Sequence, residues 1–303
     1  MTDVRRPNFF IVGAGKSGTT ALYAYLRAHP RVFVSSIKEP RFFADDMPGL
    51  MNRVASRDEY LALFGAATHD HLAVGEASPQ YLYSRTAIRN IHEFDSGARL
   101  IVMLRSPIDI AHAAHMECLY WGVEYECDFE RAWRLQHLRK KGRRIPRSCT
   151  QPTVLLWEDM ARLGEQVARL LETFPREQVH FIAFDEFVAD TAASYREALS
   201  FLGVPDDGRR AFPPVNESKR NRFELLGRSL LNPPGVFAPL RRLALRTPVV
   251  SHAWNALVRL NTAPARRAPL RPAFARELAD VFREDVKLLS RLVGRDFTHW
   301  LDR

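Results

Sequence analysis

Short apolar runs recur along the first two thirds of the chain, and segments with helical periodicity separate several of them. The runs lie at 8–12, 31–34, 72–74, 99–104 and 178–184. Alternation of short strands with helices is typical of a parallel sheet covered by helices. The run at 99–104 lacks polar alternation, as expected for a central strand buried on both faces. The pattern predicts an α/β fold with about five parallel strands.

Three later segments place apolar residues at helical spacing and stop where a helix would end. They cover 165–174, 196–202 and 272–293. The residues that follow them are Pro175, Gly203 and Gly294, and proline or glycine is common just after a helix. We therefore expect three helices that turn an apolar face toward a core.

The region from 230 to 270 breaks this pattern. Its hydrophobic periodicity weakens and prolines recur, so we expect a basic, mostly helical insertion rather than further sheet. Within it, the segment 236–246 can place apolar residues on one helical face and arginines elsewhere, which makes it amphipathic and basic. Packing, a lid over a pocket and peripheral contact with a membrane all remain open for this segment. We expect the whole chain, 1–303, to form a single domain.

Positive charge is concentrated in the same part of the chain. The formal net charge is +9, and residues 219–271 contain eleven basic residues against a single acid, Glu224. Such a region attracts polyanions, anionic substrates or lipid headgroups, and a solvated face of an arginine-rich protein is an equal alternative. No nucleic-acid-binding motif accompanies it, so we expect no nucleic acid partner.

Composition excludes several classes of protein. With 46% hydrophobic and 11% aromatic residues, the chain is not intrinsically disordered. No apolar run approaches the ~18 residues that span a bilayer and the start lacks a secretory signal, so we expect a cytoplasmic protein. The arginine and alanine content suggests a bacterial source.

The cysteines and the possible metal ligands show no spacing typical of a disulfide framework or a metal site. Cys118, Cys127 and Cys149 are expected to be packed thiols, and the histidines and acids lack metal-ligand spacing.

The segment Gly13–Thr20, GAGKSGTT, carries the strongest chemical signal. It follows an apolar strand and precedes a helix, and in such a unit the loop amides and the helix N-terminus converge on an anion. Its lysine and hydroxyls add charge-assisted hydrogen bonds. A triphosphate loop needs a glycine five residues before Gly15, and that position is Phe10. The sequence therefore predicts a phosphate site that departs from the triphosphate loop.

Five segments together resemble the sulfotransferase family that uses 3'-phosphoadenosine 5'-phosphosulfate (PAPS), especially its bacterial and carbohydrate-acting, heparan-sulfate-sulfotransferase-like branches. In family order they are KSGTTALYAYLRAHP, KEPRFF, GEASPQYL, LIVMLRSPIDIAHAAH and LLSRLVGRDFTHW. The resemblance implies a single P-loop-type domain with a helical C-terminal elaboration, and an enzyme of the EC 2.8.2 type. PAPS would be the co-substrate, no metal would be needed, and the acceptor would be a hydroxyl of a carbohydrate, glycolipid or other small molecule.

The same resemblance assigns the glycine loop to the 5'-phosphosulfate of the donor. The donor-binding residues would be Gly15, Lys16, Ser17, Gly18, Thr19 and Thr20. Lys16 would reach the bridging oxygen of the leaving group and stabilise the negative charge that builds there.

A glutamate is expected to take the proton of the acceptor hydroxyl. Glu39 stands 23 residues after the loop lysine and just ahead of an aromatic pair, where the glycosaminoglycan-type branch has its base. A structural ion pair with Lys38 or Arg41 is the alternative for Glu39. The cytosolic small-molecule branch uses a histidine, so His112 and His115 are rival bases.

The site for the 3'-phosphate departs from the family pattern. Arg105, after the strand at 99–104, matches the arginine that binds this phosphate, but the serine expected eight residues later is Ala113. Residues that could replace the missing serine hydroxyl as donors to the 3'-phosphate are Ser106, His112, His115, Lys219 and Arg220. The last two belong to a segment that resembles the family's late basic cofactor loop, and we predict that they bind the donor with Arg105.

Two other functions compete with this interpretation. A kinase or NTPase would hold Mg-ATP with an aspartate after a strand, and Asp185 is a candidate. The missing glycine at Phe10 and the arginine that ends the central strand argue against it. A non-catalytic module that binds nucleic acid or membrane through the basic region would leave the glycine loop unexplained.

Overall fold

The computed structural model describes residues 5–51, 53–215, 219–223, 231, 247–264 and 267–302. These residues group into two units. The first unit contains residues 5–110, 159–215 and 275–302, and the second contains 111–158 and the described residues of 219–274.

Five parallel strands form the sheet of the first unit. They are β1 Phe9–Gly13, β2 Val32–Val34, β3 Ala73–Ala77, β4 Arg99–Leu104 and β5 Val179–Ala183. Their order across the sheet is β2-β3-β1-β4-β5, and all neighbours are parallel. Each strand overlaps one of the apolar runs, so the predicted fold class, a five-stranded parallel sheet flanked by helices, is confirmed.

The interior strands are buried along their length, which is why their sequences lack alternation. All of β1 is buried, and β4 is buried after Arg99. The middle strand is β1, while β4 lies between β1 and β5. The approach of β3 to β1 depends on Gly75, because a Cβ there would lie 2.3 Å from the carbonyl oxygen of Phe9.

Helices fill the connections between the strands. In chain order the described helices are α1 Thr19–Arg27, α2 Arg57–Ala62, α3 Gln80–Tyr83, α4 Ala87–Phe94, α5 Pro107–Tyr120, α6 Phe129–Arg134, α7 Gln136–Arg139, α8 Trp157–Ala161, α9 Leu163–Leu171, α10 Phe184–Ala189, α11 Thr191–Leu202, α12 Pro248–Asn261 and α13 Pro272–Val293. The three expected helices are α9, α11 and α13. The glycines that follow α11 and α13, Gly203 and Gly294, have left-handed φ values of 71° and 77°. None of the described helices combines the length and the apolarity needed to cross a bilayer.

A side chain of α13 caps α9. The carboxylate of Asp285 is buried and accepts hydrogen bonds from the backbone N–H groups of Gly164 (2.9 Å) and Glu165 (2.9 Å). These groups belong to the first turn of α9 and have no carbonyl partner within that helix. A Cβ on Gly164 would lie 2.3 Å from the carbonyl oxygen of Asp285, so the two helices are in close contact here.

The second unit contains a two-stranded antiparallel sheet beside its helices. β6 Lys219–Asn221 pairs with β7 Thr262–Pro264. β7 contradicts the expectation that 230–270 contains no sheet. The cause is a long-range contact that local periodicity does not record: the side-chain amide of Asn261 accepts from the backbone N–H of Phe223 (2.9 Å) and donates to its carbonyl (3.1 Å).

Two further expectations concern residues of this part of the chain. The amphipathic basic segment 236–246 lies outside the described residues. Cys118 and Cys149 are buried, whereas Cys127 is exposed, so the prediction of a packed thiol is wrong for Cys127. It lies in a surface loop just before Asp128, whose side chain caps α6.

Candidate active site

The glycine loop lies at the carboxyl end of β1 and leads into α1. The backbone N–H of Ala14 donates to the carbonyl of Met103 at the end of β4, at 2.7 Å. Gly18 precedes α1 with a left-handed φ of 88°, and a Cβ on it would lie 3.1 Å from the ring of Phe184. Both facts favour glycine at this position. Gly15 differs, because a Cβ there would meet nothing within 4 Å.

The loop presents hydrogen-bond donors suited to an anion. Ser17 is 0% exposed, and among the described residues its hydroxyl has no hydrogen-bond partner. Thr19 is also buried, and Lys16 and Thr20 are half-buried. The first turn of α1 holds no acid, and Gly18 has no side chain to cap it. A buried hydroxyl without a partner beside a helix N-terminus fits a phosphate or sulfate group.

Arg105 is brought to this loop from the end of β4. Its Nη1 donates to the carbonyl of Lys16 at 2.8 Å, and its guanidinium lies 4.3 Å from the ring centre of Phe184. Its Nε lies 3.6 Å from the carboxylate of Asp109. The structure thus places Arg105 against the loop lysine, and it supports the backbone of the loop directly.

Glu39 lies beside the carboxyl end of β3. Its backbone N–H donates to the carbonyl of Ala77 at 3.0 Å. Its carboxylate contacts Lys38 and Arg41 and accepts from Nε2 of Gln80 at 3.2 Å. Burial acts to raise the pKa of Glu39, but the two cations and the hydrogen bonds outweigh it and lower that pKa to about 2. The ion pairs expected as an alternative are therefore present, and Glu39 is ionised at neutral pH.

A second carboxyl group, Glu76 of β3, lies close to Glu39. Its side chain is 0% exposed. Its Oε1 accepts from the hydroxyls of Tyr81 (2.6 Å) and Tyr60 (3.2 Å), and its Oε2 accepts from the hydroxyl of Ser78 (2.7 Å). Burial raises the pKa of Glu76 to about 7 against the effect of these hydroxyls, and the charge of Glu39 adds to the rise. Glu76 was not among the site residues predicted from the sequence, although a charged side chain inside the apolar run AVGEA is a signal that could have identified it.

Three neighbouring strands therefore supply the candidate site. The loop follows β1, Arg105 follows β4, and Glu39 is held on β3, in a sheet where β3, β1 and β4 are adjacent. Ligands of parallel α/β sheets bind at the carboxyl ends of the strands. The family model for the sulfotransferase domain matches residues 6–212. The chain belongs to the sulfotransferase domain family.

Relatives of this sulfotransferase domain share its fold and part of its sequence. A sulfotransferase from Alicyclobacillus acidocaldarius has a similar structure, with a TM-score of 0.72 and 26% identity over 98% of this chain and 99% of that chain. Human carbohydrate sulfotransferase 15 is 31% identical over 150 residues, which cover 36% of this chain and 27% of that protein. Human heparan sulfate glucosamine 3-O-sulfotransferase 6 is 28% identical over 206 residues, 66% of this chain and 53% of that protein. The chain thus spans about a quarter to a half of the length of these curated relatives.

The rival bases of the sulfotransferase domain belong to the second unit and are packed there. The ring of His112 stacks on that of Phe129, with centres 4.7 Å apart and planes at 3°. Nε2 of His115 lies 2.8 Å from the carbonyl of Glu126, and burial lowers the pKa of His115. Both imidazoles are buried by these contacts.

Of the remaining candidates for binding the 3'-phosphate of the donor, Ser106 lies near a backbone carbonyl, and the side chains of the two basic residues are outside the described part of the structure. The hydroxyl of Ser106 is 3.5 Å from the carbonyl of Trp300, and Ala113 is buried. Lys219 and Arg220 have their backbone in β6, but their side chains lie outside the described part of the structure. Their role in this sulfotransferase domain stays a prediction.

Asp185, the candidate magnesium ligand of the kinase alternative, is hydrogen-bonded to the side chain of Trp300. Asp185 Oδ2 accepts from the indole N–H of Trp300 at 2.7 Å. Phe10, at the position of the missing glycine, is fully buried in β1. Within the described ranges, no group of three His, Cys, Asp or Glu side chains is arranged to hold a metal ion.

Proposed function

We propose that this protein transfers the sulfuryl group of PAPS to an acceptor hydroxyl. The observation that carries the proposal is the buried hydroxyl of Ser17, which has no partner among the described residues and lies in the loop at the N-terminus of α1. That loop has donors for one phosphosulfate group but lacks the glycine of a triphosphate loop. When bound, the donor supplies a sulfuryl group attached to a phosphate leaving group.

The loop residues bind and polarise that leaving group in our proposal. Ser17, Thr19, Thr20 and the first N–H groups of α1 would hold the 5'-phosphosulfate by hydrogen bonds. The ammonium of Lys16 would stabilise the charge that develops on the leaving oxygen. Arg105 is proposed to bind the 3'-phosphate. That Lys219 and Arg220 bind the donor stays a prediction from the sequence.

Glu39 is proposed as the base that accepts the proton of the acceptor hydroxyl. With its pKa lowered to about 2 it is always ionised near neutral pH, but it is a weak base while Lys38 and Arg41 contact it. An acceptor that displaces one of these cations raises the basicity of Glu39 at the moment of transfer. We therefore assign Lys38 and Arg41 the task of holding the carboxylate before the acceptor arrives.

The acceptor class is inferred from the relatives. The names of the human relatives describe a carbohydrate sulfotransferase and a heparan sulfate glucosamine 3-O-sulfotransferase. We propose a carbohydrate hydroxyl, free or in a glycolipid, as the acceptor of this chain. Ala77 stands where some glycosaminoglycan enzymes have a lysine, so we expect a different polysaccharide from theirs.

The donor is tested by isothermal titration calorimetry with 3'-phosphoadenosine 5'-phosphate, the desulfated donor, in EDTA. We expect binding by the wild type and by Lys287→Ala, an exposed lysine on α13, and at least a tenfold weaker affinity for Lys16→Ala. Mg-ATP titrated beside it should bind more weakly. Binding of Mg-ATP alone would contradict the proposal and favour a kinase.

A further inference from the structure

Glu76 is not used in the proposed transfer, yet it is linked to the segment that carries the base. We propose that Glu76 is a positioning residue for Glu39 and acts through the hydroxyl of Ser78. The inference rests on the proposed function, because that function makes Glu39 the base. Within the described residues, no lysine or arginine forms an ion pair with Glu76, so hydroxyl groups alone satisfy this buried carboxyl group.

The link runs through a single hydroxyl, that of Ser78, which bridges Glu76 and Arg41. Ser78 Oγ donates to Oε2 of Glu76 at 2.7 Å and accepts from the backbone N–H of Arg41 at 3.1 Å. When Glu76 is ionised, the hydroxyl proton of Ser78 points at Oε2 of Glu76, so a lone pair of Ser78 faces the backbone N–H of Arg41. The backbone N–H of Ser78 donates to the carbonyl of Ile11 at 3.1 Å, so the same serine is fixed to β1, the strand that leads into the glycine loop.

The segment that donates this hydrogen bond, through the backbone N–H of Arg41, has a backbone that needs external support. Glu39 and Arg41 have left-handed φ values of 64° and 54°, which residues with a Cβ adopt at a cost. Such conformations persist where the surroundings hold them. Two backbone hydrogen bonds do so here, from Glu39 to Ala77 and from Arg41 to Ser78.

The aromatic residues that follow Glu39 pack on the other two partners of Glu76. The ring of Phe42 stacks on Tyr60, with centres 4.5 Å apart and planes at 11°. Phe43 contacts the ring of Tyr81 at 5.8 Å. The hydroxyls of both tyrosines point at Glu76, so this carboxyl group orients the residues on which the segment 39–43 rests.

The experiment compares Ser78→Ala and Glu76→Gln with a matched control, Ser290→Ala. Ser290 likewise accepts one backbone N–H, from Phe297 (3.1 Å), and donates to one oxygen, of Val286 (2.9 Å). The first measurement is hydrogen–deuterium exchange of the peptide 39–43, which needs no substrate. We expect exchange at the Arg41 amide to be about tenfold faster in both test variants, with strand 99–104 unchanged, and no effect at 39–43 in the control.

The second measurement is steady-state sulfuryl transfer to an acceptor that the wild type accepts. We expect kcat to fall by about 10- to 100-fold in both test variants with KM for PAPS within about twofold of wild type, because a displaced base slows transfer without weakening donor binding. In a Glu39→Gln background, Ser78→Ala should cause no further loss of kcat.

Unchanged exchange at 39–43, or a further loss of kcat in the Glu39→Gln background, overturns the inference. A wild type that transfers no sulfuryl group overturns the proposed function instead, and the exchange result then decides alone whether Glu76 holds this segment.

Discussion

Glu39 and Glu76 are two carboxyl groups whose pKa values the fold moves in opposite directions. Lys38 and Arg41 lower that of Glu39 to about 2, and burial raises that of Glu76 to about 7. A pair of acids with such different environments can take different roles. Near pH 7 Glu39 is ionised, while Glu76 is partly protonated.

The raised pKa of Glu76 predicts that its own contribution to stability falls with rising pH. The unfolded chain loses this proton near pH 4.5 and the folded chain near pH 7, so the contribution of Glu76 to the free energy of unfolding should drop by about 3 kcal/mol across that window. Glu39 acts in the opposite direction, but its contribution is lost only as pH falls from 4.5 toward 2 and does not affect this window.

Urea denaturation of wild type and variants at pH 5 and pH 8 measures this effect as a difference, because His115 and His180, whose pKa values burial lowers, raise stability with pH in all of them. Relative to wild type, Glu76→Gln should lose the drop of about 3 kcal/mol that Glu76 contributes, whereas Glu93→Gln, at an exposed position, should change with pH as wild type does. The groups facing Glu76 are Tyr23, Tyr60, Tyr81 and Glu39, and burial raises the pKa of each tyrosine, so none of them should titrate between pH 5 and 8. An equal change between pH 5 and pH 8 in Glu76→Gln and wild type would contradict the assignment.

The two acids also differ in how far the sequence alone could find them. Glu39 follows the loop lysine at a family spacing and precedes an aromatic pair, so a linear motif indicates it. The importance of Glu76 depends on hydrogen bonds from Tyr60, which lies on helix α2, and from Ser78, which directly follows the strand of Glu76. The hydrophobic pattern along the chain does not show which hydroxyl groups come into contact with Glu76 in the folded protein.

At the scale of elements, one carboxylate joins α13 to the start of α9. Asp285 replaces the missing carbonyl partners of Gly164 and Glu165. Asp285→Ala should lower the free energy of unfolding by about 2–3 kcal/mol, because one buried and one partly buried N–H group lose a charged acceptor. Asp280→Ala, on the same helix but exposed, should change it by less than about 0.5 kcal/mol. Equal midpoints in urea for the two variants would contradict this role of Asp285.

The strands and helices were largely predictable, and the exceptions have a common cause. The five strands of the sheet are short apolar runs and α13 has a long amphipathic stripe, so their own residues specify them. β7 has three residues with no apolar alternation, and its pairing depends on Asn261 contacting Phe223, 38 positions away. Contacts between distant polar groups leave no periodic trace in the sequence.

At the scale of the whole molecule, the net charge of +9 bears on the acceptor. A basic protein attracts anionic polymers, and this attraction weakens as salt shortens the screening length. We expect kcat/KM for an anionic polysaccharide acceptor to fall several-fold between about 50 and 300 mM NaCl, and that for an uncharged sugar acceptor to change little. Equal salt dependence for the two acceptors would contradict a role for the positive net charge in acceptor binding.

The cytoplasmic location and the contact of the basic region 219–271 with membranes stay predictions.

The ion pairs of Glu39 bear on a side reaction, the hydrolysis of bound donor by water. A carboxylate whose pKa is about 2 removes protons poorly, so under the proposed function a water molecule in the acceptor position would not be activated. Only a molecule that draws Lys38 or Arg41 away from the carboxylate would then make Glu39 a better base. Wasteful turnover would be suppressed by the same two cations that hold the proposed base, and the acceptor would be distinguished from solvent before any bond is broken.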